Sequence, residues 1–446
     1  MIGHVAIVGA GFSGTLQAIH LLRPGGPKVS LIERRGEFAR GVAYSTADPG
    51  HLLNVRAANM SALPDRPDHF VDWRAAQGGR DPATFASRIE YGDYLGHMLR
   101  EAAAAAPGRL ELRHDTVADM ALRRDGVELL FDSGGRLRAD AAVLALGNLP
   151  PHDPPVFAGK AFGPDRYVSD PWSADFCAGL RPDDTVLLIG TGLTMIDTVL
   201  TLEARGFAGR IVALSRRGLM PRAHHALAPA PGSPTPPVSR GAALVRAVRQ
   251  RAAAIGWREA VDELRPHTQG LWRSATLAEQ RRFVRHLRPW WDAHRHRLAP
   301  EIAARIDGLR RSGRLDVVAG GLRDAVPEGE GALVTWRSRG EGREVRLDAR
   351  RIINCTGPQG DLLRTQQPLL RLLLASGCIR PDPHRFGIDV DAGARVIDVK
   401  GQASTRLFAL GPMTRGAFWE MVAVPDIRVQ TWAVAEHLIS RTGDDG

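Results

Sequence analysis

Two glycine-rich stretches, each directly after an apolar run, have the residue types and spacing to hold the phosphates of a dinucleotide. The first is Gly9-Ala-Gly-Phe-Ser-Gly14, and the run before it, Val5 to Val8, predicts a buried strand. In this G-x-G-x-x-G pattern the first glycine permits a tight turn, the second lets a pyrophosphate approach the backbone, and the third lets helix pack on strand. The helix predicted from about Ser13 would offer unpaired N–H groups to the phosphates. The stretch therefore predicts a dinucleotide site, with an ordinary glycine-rich turn as the alternative.

An acidic residue follows at the position where such a site recognises a ribose. The next predicted strand, Lys28 to Glu33, ends in a carboxylate 19 residues after Gly14. A carboxylate at this position accepts hydrogen bonds from a ribose diol. The first site therefore favours a cofactor with a free diol, such as FAD.

The second stretch, Gly190-Thr-Gly-Leu-Thr-Met195, follows the apolar run Thr185 to Ile189 and lacks the third glycine. We expect looser packing of helix on strand there, with the turn and the phosphate approach intact. The strand after it ends in Ser215-Arg-Arg217, where the first copy has Glu33. Arginine cannot accept from a diol, but it pairs with a 2′-phosphate as a charge-assisted fork. The second site is predicted to prefer NADPH over NADH; an arginine pair that only faces solvent is the alternative.

The order of strand, glycine turn, helix, short meander and returning strand occurs twice, and such repetition indicates two nested dinucleotide-binding domains. The returning strands are Ala141 to Leu146 and Arg351 to Cys355, and each is followed by a glycine. The last strand and a helix from about Pro425 to Ile439 would complete the first sheet. The predicted fold class is α/β, with two Rossmann-like (FAD and NADP) domains of the three-layer ββα type. The predicted boundaries are 1–165 plus 350–446 for the FAD domain and 166–349 for the NADP domain, with a helical insertion at about 222–312.

The insertion follows a Pro/Ala/Ser-rich linker, His224 to Pro237, and contains the run Trp290-Trp-Asp-Ala-His-Arg-His-Arg297. A solvated basic helix face is one interpretation of this run, and an anion pocket lined by aromatic rings is the other. Its two histidines are two residues apart and do not share a helix face, which argues against a metal pair.

Composition limits the classes of partner. The 446 residues carry a net charge of +10, and only three of the 59 basic residues are lysines. Because the arginines are spread along the chain, we expect a few anion sites rather than nucleic-acid binding. The three cysteines form no C-x-x-C pair, so a redox-active disulfide is not predicted. No signal peptide or bilayer-length apolar run is seen, which predicts a cytoplasmic protein without membrane segments.

Seven motifs carry a resemblance to a known group, and they run in order along nearly the whole chain. They are Gly9–Gly14, Gly41-Val-Ala-Tyr-Ser-Thr with Leu53-Asn-Val and Met60-Ser, Gly190–Asp197, Ser215–Gly218, His294–Arg297, Asn354–Pro358 and Gly411–Gly416. They resemble the two-dinucleotide-domain flavoproteins related to class B monooxygenases, a group that includes bacterial aspartate N-monooxygenases (nitrosuccinate synthases). The resemblance implies FAD bound non-covalently in the first domain and NADPH in the second.

Cofactor contacts are predicted at two sets of residues. The FAD set is Gly9, Gly11, Phe12, Ser13, Gly14, Glu33, Arg34, Leu53, Asn54, Val117, Gly147, Gly411 and Pro412. The NADPH set is Gly190, Thr191, Gly192, Leu193, Thr194, Ser215, Arg216 and Arg217. Related flavin reductases often carry Asp after the glycine of the last strand; Pro412 stands there instead, so backbone must take over its role.

The resemblance implies an activity. NADPH would reduce FAD, the reduced flavin would bind O₂ as a C4a-hydroperoxide, and its distal oxygen would pass to the nitrogen of a small amine or amino acid. An aspartate-like substrate is the leading candidate, and its two carboxylates need cationic clamps. The candidates are Arg56, Arg295, Arg297 and Arg415, each with a structural salt bridge as the alternative. A flavin reductase that serves a partner protein and a flavin-binding protein without turnover remain open. No metal site is predicted, and substrate identity and oligomeric state are not determined.

Overall fold

The computed structural model describes residues 2–46, 48–79, 81–160, 162–173, 175–225 and 235–442; most of the predicted linker at 224–237 lies outside these ranges. The strands are β1 (His4–Val8), β2 (Lys28–Glu33), β3 (Leu110–His114), β4 (Val117–Leu122), β5 (Val127–Phe131), β6 (Arg136–Ala139), β7 (Ala141–Leu144), β8 (Tyr167–Val168), β9 (Thr185–Ile189), β10 (Arg210–Ser215), β11 (Leu315–Glu328), β12 (Gly331–Ser338), β13 (Glu344–Ala349), β14 (Arg351–Asn354), β15 (Arg395–Ile397) and β16 (Ala403–Ala409).

Thirteen α-helices lie within the described ranges. They are α1 (Phe12–Leu21), α2 (Gly41–Tyr44), α3 (His69–Ala76), α4 (Arg88–Ala105), α5 (Leu193–Ala204), α6 (Gly241–Ile255), α7 (Trp257–Leu264), α8 (Thr268–Ser274), α9 (Leu277–Arg282), α10 (Arg288–Arg295), α11 (Pro300–Arg311), α12 (Pro368–Ala375) and α13 (Val424–Ser440). A π-helical turn, Phe283–Leu287, joins α9 to α10. None of the helices in the described ranges is long and apolar enough to cross a bilayer.

The first domain is built on a six-stranded sheet in the order β15-β16-β7-β1-β2-β3, parallel except for β15. Its strands alternate side chains between two buried faces. Residues of α1, α4 and α13 cover one face, and the meander β4-β5-β6 together with α12 covers the other. The predicted three-layer arrangement, and the completion of this sheet by the last strand and helix, are confirmed.

The second domain has the same arrangement of a parallel sheet and a meander, but the two are joined differently. Its sheet has the order β13-β12-β11-β10-β9-β14-β8. The 14-residue strand β11 pairs in parallel with β10 and then runs on as the antiparallel partner of β12. The second meander is therefore continuous with the main sheet, whereas the first meander is a separate sheet.

Strand pairing and core packing differ from the predicted domain limits in three places. Strand β14, assigned to the first domain by the boundary at residue 350, pairs with β9 in the second sheet. On the other side, Phe157 packs in the core of the second domain, ahead of the boundary at 165. The insertion also ends before residue 312, because Ile302, Ile306 and Leu309 of α11 belong to the second domain's own core.

The rest of the insertion docks on the C-terminal part of the first domain. The rings of Trp272 and Trp419 stack with centroids 4.8 Å apart, and Trp272 Nε1 donates to the carbonyl of Gly416 at 2.9 Å. Arg265 forms an ion pair with Asp426 in the first turn of α13. The insertion is thus held against the segment that follows β16, where a flavin-contacting turn is predicted.

Candidate functional site

The first glycine turn joins β1 to α1 through positions where a side chain has no room. Gly9 has φ +102°, and a Cβ there would lie 2.4 Å from the carbonyl oxygen of Ala145. A Cβ on Gly14 would lie 1.8 Å from the carbonyl oxygen of Gly9. These two glycines therefore allow the tight turn and the close helix–strand contact that their spacing predicts.

The start of α1 can accept an anion. Its N-cap, Gly11, provides no side-chain acceptor, and its first turn, beginning at Phe12, contains no acidic residue. The N–H groups of a first helical turn have no partner within the helix, and the helix dipole favours negative charge there. This turn fits the pyrophosphate of a dinucleotide.

Glu33 lies buried at the end of β2, beside the turn. Its Oε2 accepts a hydrogen bond from the N–H of Ala10 at 2.9 Å, and its Oε1 accepts one from the N–H of Arg35 at 3.0 Å. Each carboxylate oxygen can accept a second hydrogen bond. The carboxylate is thus held in place and keeps capacity for two ribose hydroxyls.

Two distant segments close around the turn. A Cβ on Gly41, which has φ +56°, would lie 2.8 Å from the Cα of Gly11. A Cβ on Gly411, which has φ +71°, would lie 2.3 Å from Ser13 Oγ, and the N–H of Gly411 donates to Gln430 Oε1 at 2.8 Å. The chain's first glycine turn and the end of its last strand meet, as predicted.

The two predicted cofactor regions adjoin across the domain boundary. Leu53 and Asn54 of the first domain line a cavity of about 20 Å³ together with Leu193 at the start of α5. Beside it, Arg88 Nη2 donates to Asp197 Oδ2 at 2.7 Å. Burial raises the pKa of Asp197, although the charge of Arg88 opposes this.

The remaining residues of the predicted FAD set lie in different environments. Gly147, with φ +67°, follows β7 and has open space around its Cα. Pro412 lies in a 3₁₀ turn after β16, and the Val117 side chain is buried in the core. Arg34 is exposed, and its Nη1 donates to Gln367 Oε1 at 3.1 Å.

The second glycine turn repeats the first in detail. Gly190 has φ +118°, and a Cβ there would lie 2.2 Å from the carbonyl oxygen of Cys355. Gly192 caps α5 without a side-chain acceptor, and the first turn of α5, which holds Leu193 and Thr194, contains no acidic residue. Met195 replaces the third glycine and is fully buried in the domain core. The turn thus keeps its capacity for phosphate.

At the end of β10 a serine stands where the first domain has its carboxylate. Ser215 Oγ accepts from Thr191 Oγ1 at 2.9 Å and from the N–H of Gly218 at 3.0 Å. Arg216 is exposed and Arg217 half-buried, and within the described ranges neither forms an ion pair. Two guanidinium groups are therefore free to meet a phosphate.

Sequence reasoning missed Arg339, which lies just after β12 and donates from Nη1 to the carbonyl of Arg216 at 3.3 Å. It adds a third guanidinium to this corner. Sequence patterns do not reveal this contact, because the two arginines are 123 residues apart. The only feature that could have indicated it is an arginine at the end of a strand of the second meander.

Two of the four predicted substrate arginines are held by the protein itself. Arg56 is buried and donates to the carbonyls of Ala83 and His225. Arg297 is buried too; its Nε and Nη2 donate to backbone carbonyls, and its Nη1 contacts Asp262 at 2.9 Å. Both side chains have structural partners.

The other two, Arg295 and Arg415, lie around Glu420 where the insertion meets the first domain. Arg295 Nε is 3.1 Å from Glu420 Oε2. Arg415 packs on the ring of Phe386, 4.8 Å from its centroid, and forms no ion pair within the described ranges. Burial, together with the nearby charge of Arg288, lowers the pKa of Arg415 to about 10.

Glu420 is a second residue that sequence reasoning missed. It is buried with φ +69°, a left-handed conformation that is costly for glutamate. Its Oε1 accepts from Trp291 Nε1 at 2.7 Å. Burial raises its pKa, but the charges of His296, Arg295 and Arg265 outweigh burial, and the pKa lies below the ordinary value. No sequence pattern signals a strained glutamate.

Arg415 carries the unpartnered atom at this junction. Its Nε is buried and makes no hydrogen bond to the described residues, whereas Arg295 Nε and Glu420 Oε2 form an ion pair with each other. Buried polar atoms normally have partners in the protein or in ordered water or ligand. The buried guanidinium of Arg415 could therefore receive a carboxylate of a bound molecule.

Comparison with known proteins gives sequence matches to parts of the chain. Residues 6–149 match a family described as FAD-NAD(P)-binding. The chain is 36% identical over 135 residues to an L-aspartate N-monooxygenase (nitrosuccinate-forming) of Streptomyces cremeus, covering 27% of this chain and 20% of the relative. It is 28% identical over 236 residues to a nitrosuccinic acid synthase of Aspergillus oryzae, covering 46% and 36%. The matches thus span well under half the length of these relatives.

The fold matches over the full length. The ornithine N-hydroxylase of Kutzneria sp. 744, solved with reduced FAD, NADP⁺ and L-ornithine, superposes with a TM-score of 0.65 at 15% identity, covering 99% of this chain and 100% of that one. At this identity the likeness establishes the fold. Residues 6–149 therefore match an FAD/NAD(P)-binding family, within a chain that has the two-domain fold of that ornithine N-hydroxylase.

Proposed function

We propose that the protein is an FAD-dependent, NADPH-using monooxygenase that hydroxylates the nitrogen of a small amino acid, with an aspartate-like substrate as the first candidate. The observation that carries this proposal is Arg415, a buried guanidinium that forms no ion pair within the described ranges and feels the charge of Glu420, which is itself paired with Arg295. The relation to an aspartate N-monooxygenase supports the choice of a dicarboxylate.

In this proposal Arg415 binds a carboxylate of the substrate, and Arg295 stays paired with Glu420. Arginine suits this role because its planar fork pairs with a carboxylate through two parallel hydrogen bonds. Arg56 and Arg297 are not retained as substrate ligands, since backbone carbonyls and Asp262 already occupy their donors. Both instead hold the surrounding loops in place.

The cofactors are assigned to the two turns. Glu33 and the start of α1 would hold the ribose and pyrophosphate of FAD, and the start of α5 with Arg216 and Arg217 would hold NADPH. Bound FAD would supply the redox chemistry, taking hydride from NADPH and reacting with O₂ once reduced. The chain itself must position the amine and exclude water. The insertion packed on the Gly411–Glu420 segment is suited to that.

The test is NADPH consumption by the FAD-loaded protein across a panel of amino acids and amines, with hydroxylamine product measured in parallel. We expect aspartate or a close dicarboxylic analogue to accelerate NADPH oxidation and to yield N-oxygenated product. NADPH oxidation that no amine accelerates, or that yields no such product, would overturn the proposal and favour a flavin reductase.

The clamp is tested by Arg415→Ala. We expect the KM for the dicarboxylate to rise about 10- to 100-fold, because a hydrogen bond to a charged group contributes about 1.5–3 kcal/mol. Arg138→Ala, at an 85% exposed side chain, is the matched control and should leave KM unchanged. With an Arg415 pKa of about 10, binding of the anion should persist at neutral pH and weaken as the pH rises through that value.

A further inference from the structure

A buried ion pair crosses from the first domain to the helix that follows the second glycine turn. Arg88, the first residue of α4, donates from Nη2 to Asp197 Oδ2 of α5 at 2.7 Å. The Asp197 side chain is 9% exposed. Asp197 lies four residues after Leu193, so the two share a face of α5, and both line the small cavity between the domains. The pair therefore contacts α5 about one turn from its start, which fits a phosphate.

A second polar contact reaches α5 one turn further along. His51 of the first domain is 3% exposed. Its Nε2 lies 3.0 Å from Thr201 Oγ1 and 3.2 Å from the carbonyl oxygen of Asp197, and its Nδ1 lies 3.0 Å from Thr46 Oγ1. His51 thus connects its own loop to a helix of the other domain.

The two side chains that reach α5 come from one paired segment. The N–H of Arg88 donates to the carbonyl of His51 at 2.9 Å, and the N–H of Leu53 donates to the carbonyl of Ala86 at 2.8 Å. The segment also carries Asn54, which with Leu53 belongs to the predicted FAD set. The backbone that presents these predicted flavin contacts is therefore joined directly to the helix that begins at the predicted NADPH site.

Apolar packing at this boundary does not account for the polar contacts. Leu52, Ile196 and Leu200 also line the cavity, and their burial holds the domains together without fixing an angle, because it has no preferred direction. Ion pairs and hydrogen bonds are directional, and two of them one turn apart fix both the rotation of α5 and its position along its axis. Because a buried ion pair is weak evidence for stability, its effect on orientation is the better explanation.

We propose that Arg88, Asp197 and His51 are positioning residues, which align the NADPH site with the FAD site for hydride transfer. The inference rests on the cofactors of the proposed function but not on its oxygenated product, because a flavin reductase needs the same alignment. In the step that they serve, a hydride (one proton and two electrons) passes from NADPH to FAD, and NADP⁺ and the reduced flavin anion result. A displacement of about 1 Å between reacting groups lowers such a rate about 100-fold.

The test is anaerobic mixing of the FAD-loaded protein with NADPH, which gives the limiting rate constant of flavin reduction and the Kd for NADPH separately. Asp197→Asn keeps the size of the side chain and removes its charge. We expect its rate constant to fall about 10- to 100-fold, with the Kd within about threefold of wild type, since the predicted phosphate contacts remain. Arg88→Gln should lose the same factor, and the double variant should lose no more, because all three lack the same interaction.

The matched control is Glu203→Gln. Glu203 lies on the same helix, and its ion pair with Arg305, at 2.6 Å, lies within the second domain. Its rate constant should equal that of wild type. A loss of the same size in Glu203→Gln, or a wild-type rate constant in Asp197→Asn, would overturn the proposal.

A second measurement needs no turnover. In dithionite-reduced protein, stacking of bound NADP⁺ on the flavin gives a broad charge-transfer absorbance at long wavelength. Wild type and Glu203→Gln should show this band, and Asp197→Asn should lose most of it at saturating NADP⁺. A band of equal strength in Asp197→Asn, or none in wild type, would contradict the alignment.

Equal flavin content and thermal midpoint establish that a variant is folded. Should Asp197→Asn fail this, Thr201→Val replaces it; it removes the hydroxyl beside His51 Nε2, and its rate constant should fall about threefold or more. A wild-type rate constant there would equally refute the inference. Wild-type protein that NADPH does not reduce would refute it together with the proposed function, whereas reduction without N-oxygenated product would refute the proposed function alone.

Discussion

The two glycine turns of this chain have nearly the same backbone and differ in a single chemical choice. Their N-caps have φ and ψ of −72° and −165° at Gly11 and −88° and −163° at Gly192. Gly9 and Gly190 both have positive φ, and both approach the carbonyl that follows the returning strand. Each also donates its N–H to the neighbouring strand, at 2.9 and 2.8 Å.

The strands beside the turns end in Glu33-Arg-Arg-Gly36 and in Ser215-Arg-Arg-Gly218. The register pairs Val8 with Ile32 and Ile189 with Leu214, so Glu33 and Ser215 occupy equivalent positions. An arginine pair therefore follows in both copies and cannot by itself select a 2′-phosphate. The difference that matters is a carboxylate against a hydroxyl. The carboxylate would repel a 2′-phosphate, and the hydroxyl lets the arginines reach it.

The largest contrast should lie between the third glycine of the first turn, Gly14, and the second glycine of the other turn, Gly192. Gly14→Ala places a Cβ 1.8 Å from a backbone oxygen, so we expect destabilisation of about 3 kcal/mol or more and loss of bound FAD. Gly192→Ala meets nothing within 4 Å and should cost less than about 1 kcal/mol. Thermal unfolding and flavin content measure both, and equal destabilisation would show that the packing argument fails.

The next largest effect should come from making the second turn resemble the first. Ser215→Glu brings a carboxylate to the arginine pair, and we expect the affinity for NADPH to fall about 10- to 100-fold, as loss of charged hydrogen bonds worth about 1.5–3 kcal/mol implies. Affinity for NADH should change little. Titration with 2′,5′-ADP and with 5′-AMP isolates the contribution of the 2′-phosphate. If the ratio of the two affinities in Ser215→Glu equals that of wild type, the residue at this position does not select the 2′-phosphate.

A smaller effect is expected at the first turn. Glu33→Gln leaves one acceptor oxygen where two backbone N–H groups, of Ala10 and Arg35, now bind. FAD affinity should fall about tenfold, since one charge-assisted hydrogen bond is lost. Equilibrium titration of the apoprotein with FAD measures it. Affinity equal to wild type would mean that the carboxylate does not organise this turn.

The smallest effect should distinguish the two arginine pairs. Arg34→Ala removes an exposed side chain whose hydrogen bond within the described ranges is to Gln367, so FAD affinity should change by less than about threefold, within the usual ±0.5 kcal/mol of surface substitutions. Arg216→Ala, its counterpart, should weaken NADPH binding about tenfold. Similar losses at both positions would show that the first pair also contacts its cofactor.

Local patterns predicted the parts of the fold that repeat. Strand β2 has the predicted bounds, and the glycines of both turns lie where their spacing places them. The domain limits differ from the prediction at β14, because the sequence of this short strand fits a returning strand in either domain. Only its pairing with β9 assigns it to the second sheet. The meander of the second domain joins its main sheet because β11 is long enough to pair twice.

The candidate site was less predictable than the fold. All four candidate arginines are equivalent in the sequence, and their roles depend on partners far along the chain. Arg56 meets the carbonyl of His225, 169 residues away, whereas Arg295 meets a glutamate that no motif contains. Residue type specifies that a cation is present, but only tertiary packing determines whether it is already neutralised.

The close contact of Gly411 with Ser13 has a consequence for synthesis on the ribosome. The first domain needs β16 and α13, so its nucleotide cleft cannot close until residues up to about 440 have emerged. The second domain is complete once β14 has been made. The domain translated later in the message therefore finishes first, and the nascent N-terminal half must wait, with apolar faces uncovered, for the chain's end to return to it.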